Sequence, residues 1–286
     1  MFVDFVPDAA LYPFESRWFD SARGRVHYID EGDGPPLLFC HGSPTWSFLY
    51  RRIVEALRDR YRCIAVDLPG FGLSERPGGF GYTIAEQTDV LGELIDRLRL
   101  DGFVVAGHDW GGPIGLGAAV SRAPRVRGIA LFNTVFWPVE PIANRAFGAV
   151  MSTRPAQRRI LERNLLIERV LLGPLGPDLT PDEADHYRCV QPTPAARAAL
   201  AVMPRQIREA RETLAALADD VPAALGDKPA LAVWGMRDSV FRPRHCLPRI
   251  RAAFADLEVV ELQDASHFIQ EDAPDRVAAA IARRFA

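Results

Sequence analysis

Cysteine is scarce and scattered: Cys40, Cys63, Cys189 and Cys246 are the only four in 286 residues, with no Cys-x-x-Cys pair and no cluster of histidines. Such spacing supports neither a disulfide framework nor a metal site, and most of the four are expected to be buried small hydrophobes. A basic amino-terminal region is missing too, since Met1 to Asp8 carries acids alone. No apolar run approaches the length of a membrane span, so a cytoplasmic location without membrane attachment is expected. Charge of one sign is also lacking: 34 basic against 37 acidic residues leave a net charge of -3. That balance gives no field for nucleic acid or anionic membrane and suits a small neutral substrate better. Repeats and low-complexity tracts are absent. With 48% hydrophobic and 25% charged residues, the chain reads as an ordinary globular protein with room for one core and an insertion.

The stretch that organises the chain runs from Phe103 to Gly117. A β-branched apolar run ends at Gly107, Asp109 follows after one residue, and Gly111 and Gly112 precede a small-residue helical stretch. Gly-x-Asp-x-Gly matches a nucleophile elbow, in which small residues on either side let strand and helix close around a strained, exposed residue. Here that residue is Asp109. An ordinary carboxylate, with a pKa of about 3.9, is already ionised at neutral pH and needs no base before it attacks. Against amides it would form a labile anhydride, but it can displace a leaving group from saturated carbon and leave an ester. Carbon–halogen bonds or epoxides are the substrates this chemistry suggests. An Asp capping a helix would look similar in isolation.

In chain order, residues 1–14 read as irregular, and residues 16–21 and 25–30 as paired antiparallel strands at the sheet edge. Residues 37–40 read as a buried strand ending in His41-Gly42-Ser43, where the fold of the elbow places a second oxyanion donor, the Ser43 N–H. His41 is expected to brace that turn. A helix over 47–60, a strand over 63–67, a helix from the Thr83-x-x-Glu86 capping box to about Leu98, the elbow strand and a strand over 128–132 follow. Alternation then stops: residues 139–222 read as an inserted helical cap, with helices over 158–172 and 205–218 separated by prolines at 155, 174, 177, 181, 192, 194 and 204. The arginines at 154, 158, 159, 163 and 169 read as its solvated face. Residues 1–138 and 223–286 form the core, which resumes with a strand over 229–234, a helix over 244–254, a strand over 257–262 and a helix over 274–284. Such alternation predicts an α/β, mostly parallel eight-stranded sheet with helices on both faces.

Asp238 follows one late strand and His267 the next. In a parallel sheet with right-handed crossovers these loops open on one edge with the elbow, so Asp109, Asp238 and His267 can converge in the order nucleophile, acid, base. Asp264 and Glu271 are expected to be solvated, and His108 to face away from the site and pack.

The stretches His41-Gly-Ser-Pro-Thr-Trp-Ser47, Asp67-Leu-Pro-Gly-Phe-Gly-Leu-Ser74, Gly107-His-Asp-Trp-Gly-Gly112, Trp234-Gly-Met-Arg-Asp238 and Ser266-His-Phe268 together resemble the haloalkane dehalogenases of the α/β-hydrolase superfamily. Residues 11–17 and 133–138 look most like its subfamily III. The resemblance covers nearly the whole core and is weaker in the cap. It implies attack by Asp109 on the halogen-bearing carbon, hydrolysis of the ester by water activated at His267, and orientation of His267 by Asp238. It further implies a tetrahedral oxyanion held by the Ser43 and Trp110 N–H groups, and a halide held by the Trp110 indole. The implied partners are a small apolar halogenated substrate, halide and water, with no cofactor or metal. The family takes a second halide donor from Asn at position 43 or from a cap Trp. This chain has Ser43, and no Trp between Trp137 and Trp234, so leaving-group stabilisation is expected to rest largely on Trp110. An epoxide hydrolase would use cap tyrosines, of which residues 138–228 hold only Tyr187. A fluoroacetate-type enzyme would carry arginine after the nucleophile instead of Trp110, and a non-catalytic binding protein would have no need of all three site residues.

Overall fold

The computed structural model describes residues 1, 4–173 and 176–286. Phe2 and Val3, in the stretch expected to be irregular, and Pro174, among the prolines expected to separate cap helices, lie outside them. Eight strands form one sheet in the order β1-β2-β4-β3-β5-β6-β7-β8: β1 (Arg17–Ser21), β2 (Gly24–Glu31), β3 (Pro36–Cys40), β4 (Arg62–Val66), β5 (Phe103–Asp109), β6 (Val126–Thr134), β7 (Ala230–Gly235) and β8 (Leu257–Leu262). The first two pairings, β1 with β2 and β2 with β4, are antiparallel, and every later pairing is parallel. All seven residues of β5 are buried, as a central strand covered on both faces requires.

Local chemistry explains most element boundaries. A 3-10 turn (Ser47–Tyr50) leads into α1 (Arg51–Leu57), so the helix expected from residue 47 begins more tightly wound. Before α2 (Ile84–Arg97), the Thr83 side chain takes the Glu86 N–H while Glu86 returns to the Thr83 N–H, the reciprocal cap its sequence predicts. The elbow helix α3 (Gly111–Val120) packs on β5, β6 and α2, while α1 packs on the last helix, α11 (Pro274–Arg284).

Between β6 and β7 lie α4 (Ile142–Met151), α5 (Arg154–Arg163), a π-helical turn (Ile167–Leu171), α6 (Pro181–Cys189), α7 (Ala198–Glu209) and α8 (Arg211–Leu225). Two expectations fail here. The helix over 158–172 is broken where Asn164 takes a left-handed conformation (φ 50°). That over 205–218 is two helices meeting at Ala210, and Pro204 lies inside α7 instead of separating helices. Periodicity continues across both breaks, so it could not locate them. The arginines at 154, 158, 159, 163 and 169 are solvent-exposed as expected. Helices α9 (Pro243–Ala253) and α10 (Ile269–Asp272) complete the chain before α11.

Candidate active site

Strand β5 delivers Asp109 to the carboxyl edge of the sheet at φ 50°, a left-handed conformation that aspartate tolerates only when its surroundings enforce it. The enforcement is steric. A Cβ on Gly111 would lie 2.1 Å from the Cys40 carbonyl oxygen and one on Gly112 1.9 Å from Thr134 Oγ1, so only glycine permits α3 to start this close to β3 and β6. Thr134 donates its hydroxyl to the Asp109 carbonyl oxygen at 2.6 Å and holds the turn from behind.

The Ser43 backbone N–H donates to Asp109 Oδ1 at 3.0 Å. The turn that presents it is braced by His41, whose Nδ1–H donates to the Gly42 carbonyl at 2.8 Å while Nε2 accepts the Leu68 N–H at 3.0 Å. Burial holds the His41 imidazole below its ordinary pKa, so it stays neutral and structural, as expected.

Asp238 and His267 arrive on the loops after β7 and β8. His267 Nδ1 lies 2.9 Å from Asp238 Oδ2, and its Nε2 faces Asp109 Oδ2 at 3.5 Å. Burial alone would pull the imidazole down, but the Asp238 and Asp109 carboxylates outweigh it and hold it up to about 10. Asp238 is itself buried. Its desolvation is outweighed by His267 and by hydrogen bonds from Asn133 Nδ2 (2.6 Å) and the Val240 and Phe241 N–H groups (2.6 and 3.1 Å to Oδ1), which hold its carboxyl below the usual range.

The Asp109 and His267 side chains open into a cavity of about 640 Å³ whose lining includes Ser43, Trp110, Leu166, Met203 and Phe241, while the Asp238 side chain is fully buried behind His267. Trp110 is buried beside Asp109, and among the described residues no protein acceptor takes its indole N–H. His108 does not line the cavity; it packs at 4.7 Å against the His267 ring and donates from Nε2 to the His267 carbonyl at 2.9 Å. Tyr187, the sole tyrosine between residues 138 and 228, is fully buried away from the cavity. Among the described residues no group of His, Cys, Asp and Glu side chains could hold a metal ion. No helix among them is long and apolar enough to cross a membrane.

A family model described as alpha/beta hydrolase fold matches residues 35–274. Over 100% of both chains, the sequence is 59% identical to Haloalkane dehalogenase 2 of Mycobacterium tuberculosis (strain ATCC 25618 / H37Rv). The chain belongs to the haloalkane dehalogenase family, within the α/β-hydrolase fold. The haloalkane dehalogenase DbeA from Bradyrhizobium elkani USDA94 superposes with a TM-score of 0.86 at 26% identity, over 94% of this chain and 97% of that one. A cis-3-alkyl-4-alkyloxetan-2-one decarboxylase of Shewanella oneidensis is 30% identical over 93% of this chain and 87% of its own.

Within this dehalogenase framework, one expectation fails at the site's border. Asp264 is exposed and paired with Arg276 at 2.7 Å, as a solvated acid should be, but the Glu271 side chain is fully buried. Its partners lie far away in sequence, so no local pattern marks it. Asn133, which the sequence places in the subfamily-like stretch 133–138 without a role of its own, donates its amide to Asp238 and accepts the Gly235 N–H on Oδ1 at 3.0 Å. A polar residue directly after the apolar run 128–132 is the available signal.

Proposed function

We propose that this protein hydrolyses haloalkanes to alcohol and halide through an ester on Asp109, with residues 139–222 acting as the cap over a core of 1–138 and 223–286. Asp109 Oδ2 attacks the halogen-bearing carbon as the carbon–halogen bond breaks, and the halide leaves with the bonding electrons. The Trp110 indole N–H donates to that halide. Once alkylated, Asp109 no longer carries charge, and one of the carboxylates that raise the His267 pKa is gone. The imidazole then loses its proton more readily and can take one from water through Nε2. The hydroxyl attacks Asp109 Cγ, the N–H groups of Ser43 and Trp110 receive the developing oxyanion, and the alcohol leaves with the proton from His267. Each such donor is typically worth about 10²- to 10³-fold in rate.

The observation that carries this reading is the position of His267, 2.9 Å from Asp238 and 3.5 Å from Asp109, in a cavity shared with Trp110. The expected result is bromide or iodide release from a panel of alkyl halides, abolished in Asp109→Ala. Diol formation from an epoxide without halide release would overturn it. Tyr187, held away from the cavity, offers no acid for epoxide opening.

A second reading rests on the scarcity of directed halide donors, since Ser43 replaces the family's Asn and the cap holds no Trp. The same aspartate could open a strained four-membered lactone at its alkyl carbon, the compound class named for the Shewanella relative. Carbon dioxide release from a cis-dialkyl oxetanone, measured beside halide release, distinguishes the two.

A further inference from the structure

Glu271 stands one helical turn after His267, on α10. Its carboxylate receives Arg51 Nη1 at 2.5 Å, Arg51 Nη2 at 3.0 Å and the Tyr187 hydroxyl at 2.5 Å. Arg51 Nη2 also donates to Glu183 at 2.7 Å, and Arg52 reaches the same Glu183 oxygen. The other Glu183 oxygen is occupied by the Thr180 cap. The Arg51 guanidinium lies 4.0 Å over the Phe48 ring, which stacks in turn on His186. Arg51 belongs to α1 in the core, Glu183 and Tyr187 to α6, and Glu271 to the segment bearing His267, so one buried charge cluster joins three separate elements. Two arginines face two glutamates, and every charge has a partner. Buried ion pairs contribute little net stability over apolar packing, and their best-supported use is to fix geometry.

That geometry is transmitted to the imidazole. The N–H groups of Glu271 and Asp272 both donate to the Phe268 carbonyl, at 2.9 and 3.1 Å, and Asp272 Oδ2 accepts the Ser266 N–H and hydroxyl at 2.7 and 2.8 Å. Both neighbours of His267 are thus tied back to α10. Nothing on α10 touches Asp109, Ser43 or the Trp110 indole by hydrogen bond, and Asp272 is its one residue lining the cavity, so a shift of α10 bears on nucleophilic attack only indirectly, whereas proton abstraction from water depends directly on the imidazole it seats.

We propose that Glu271 is a positioning residue for the hydrolytic half of the reaction, and that Arg51 and Tyr187 make the placement of His267 depend on the seating of α6. This rests on the dehalogenation reading, which wild-type halide release tests first and independently. The test is pre-steady-state halide release with intact-mass detection of the alkyl-enzyme in Glu271→Gln and Tyr187→Phe, the latter removing one hydroxyl without unpairing a charge.

Glu271→Gln is expected to give a halide burst stoichiometric with active sites at near wild-type rate, followed by turnover slowed at least roughly tenfold, as a displaced general base implies. The alkyl ester should accumulate on Asp109. Tyr187→Phe is expected to show the same pattern more weakly, and it carries the test should Glu271→Gln fail to fold. Equal slowing of burst and turnover, or ester hydrolysis at the wild-type rate in the folded variants, overturns the proposal. A wild-type enzyme without Asp109-dependent halide release overturns the dehalogenation reading itself, and this inference with it.

Discussion

Asn133 Nδ2 donates to Asp238 Oδ2 at 2.6 Å, the same oxygen that receives His267 Nδ1. Asn133 holds φ 38°, a left-handed value at the end of β6, and its Oδ1 is fixed by the Gly235 N–H. Replacement by aspartate preserves shape and tolerates that backbone, but sets a second carboxylate against Asp238. The lost bond and the repulsion should cost about 1–3 kcal/mol, or roughly 5- to 150-fold in ester hydrolysis. Single-turnover decay of the alkyl-enzyme in Asn133→Asp measures it; an unchanged decay would show that Asp238 is held adequately without this bond.

The raised pKa of His267 has a stability signature. Its ordinary value of 6.5 rises to about 10 in the folded protein, so its contribution is fully present below about pH 6.5 and lost as pH climbs through about 10. Asp109→Asn removes one of the carboxylates responsible, and the upper end of that window should move to lower pH. Urea unfolding of both proteins between pH 6 and 10 tests the sign, together with NMR titration of the His267 ring.

At the elbow, Gly112→Ala would thrust a methyl group to 1.9 Å from Thr134 Oγ1 and break the hydroxyl's bond to the Asp109 carbonyl. Overpacking of this kind costs about 1–3 kcal/mol. Chemical denaturation should show that loss, and Asp109, displaced from its left-handed turn, should react more slowly even where the variant remains folded.

Trp110→Phe keeps a ring in the cavity and removes the indole N–H. Hydrogen bonds to charged groups contribute about 1.5–3 kcal/mol, so the halide burst should slow by roughly 10- to 150-fold. Because Ser43 offers only a short hydroxyl in place of the family's amide, the effect should be at the upper end. Retention of the wild-type burst rate would show that another group stabilises the leaving halide.

Much of this molecule was legible before its structure. Strand β8 and helix α11 occupy the residues their patterns predicted, the Thr83 cap forms with Glu86, and the glycines around Asp109 identify a turn that only they can make. These features depend on side chains a few positions apart, where periodicity and steric exclusion act on contiguous chain. The break at Asn164 and the merger of Pro204 into α7 were not legible, because neighbouring helices decide whether a periodic segment continues.

The sequence by itself therefore determined the alternating core, the elbow and the three loops that bring Asp109, Asp238 and His267 to one edge. Tertiary structure alone decided the fate of charge around them. Glu271 and Asp264 are both acids beside His267, yet one is buried against Arg51, 220 residues away, and the other is solvated. A carboxylate's cost in a protein interior depends on which cation reaches it, and that is settled only when distant segments pack.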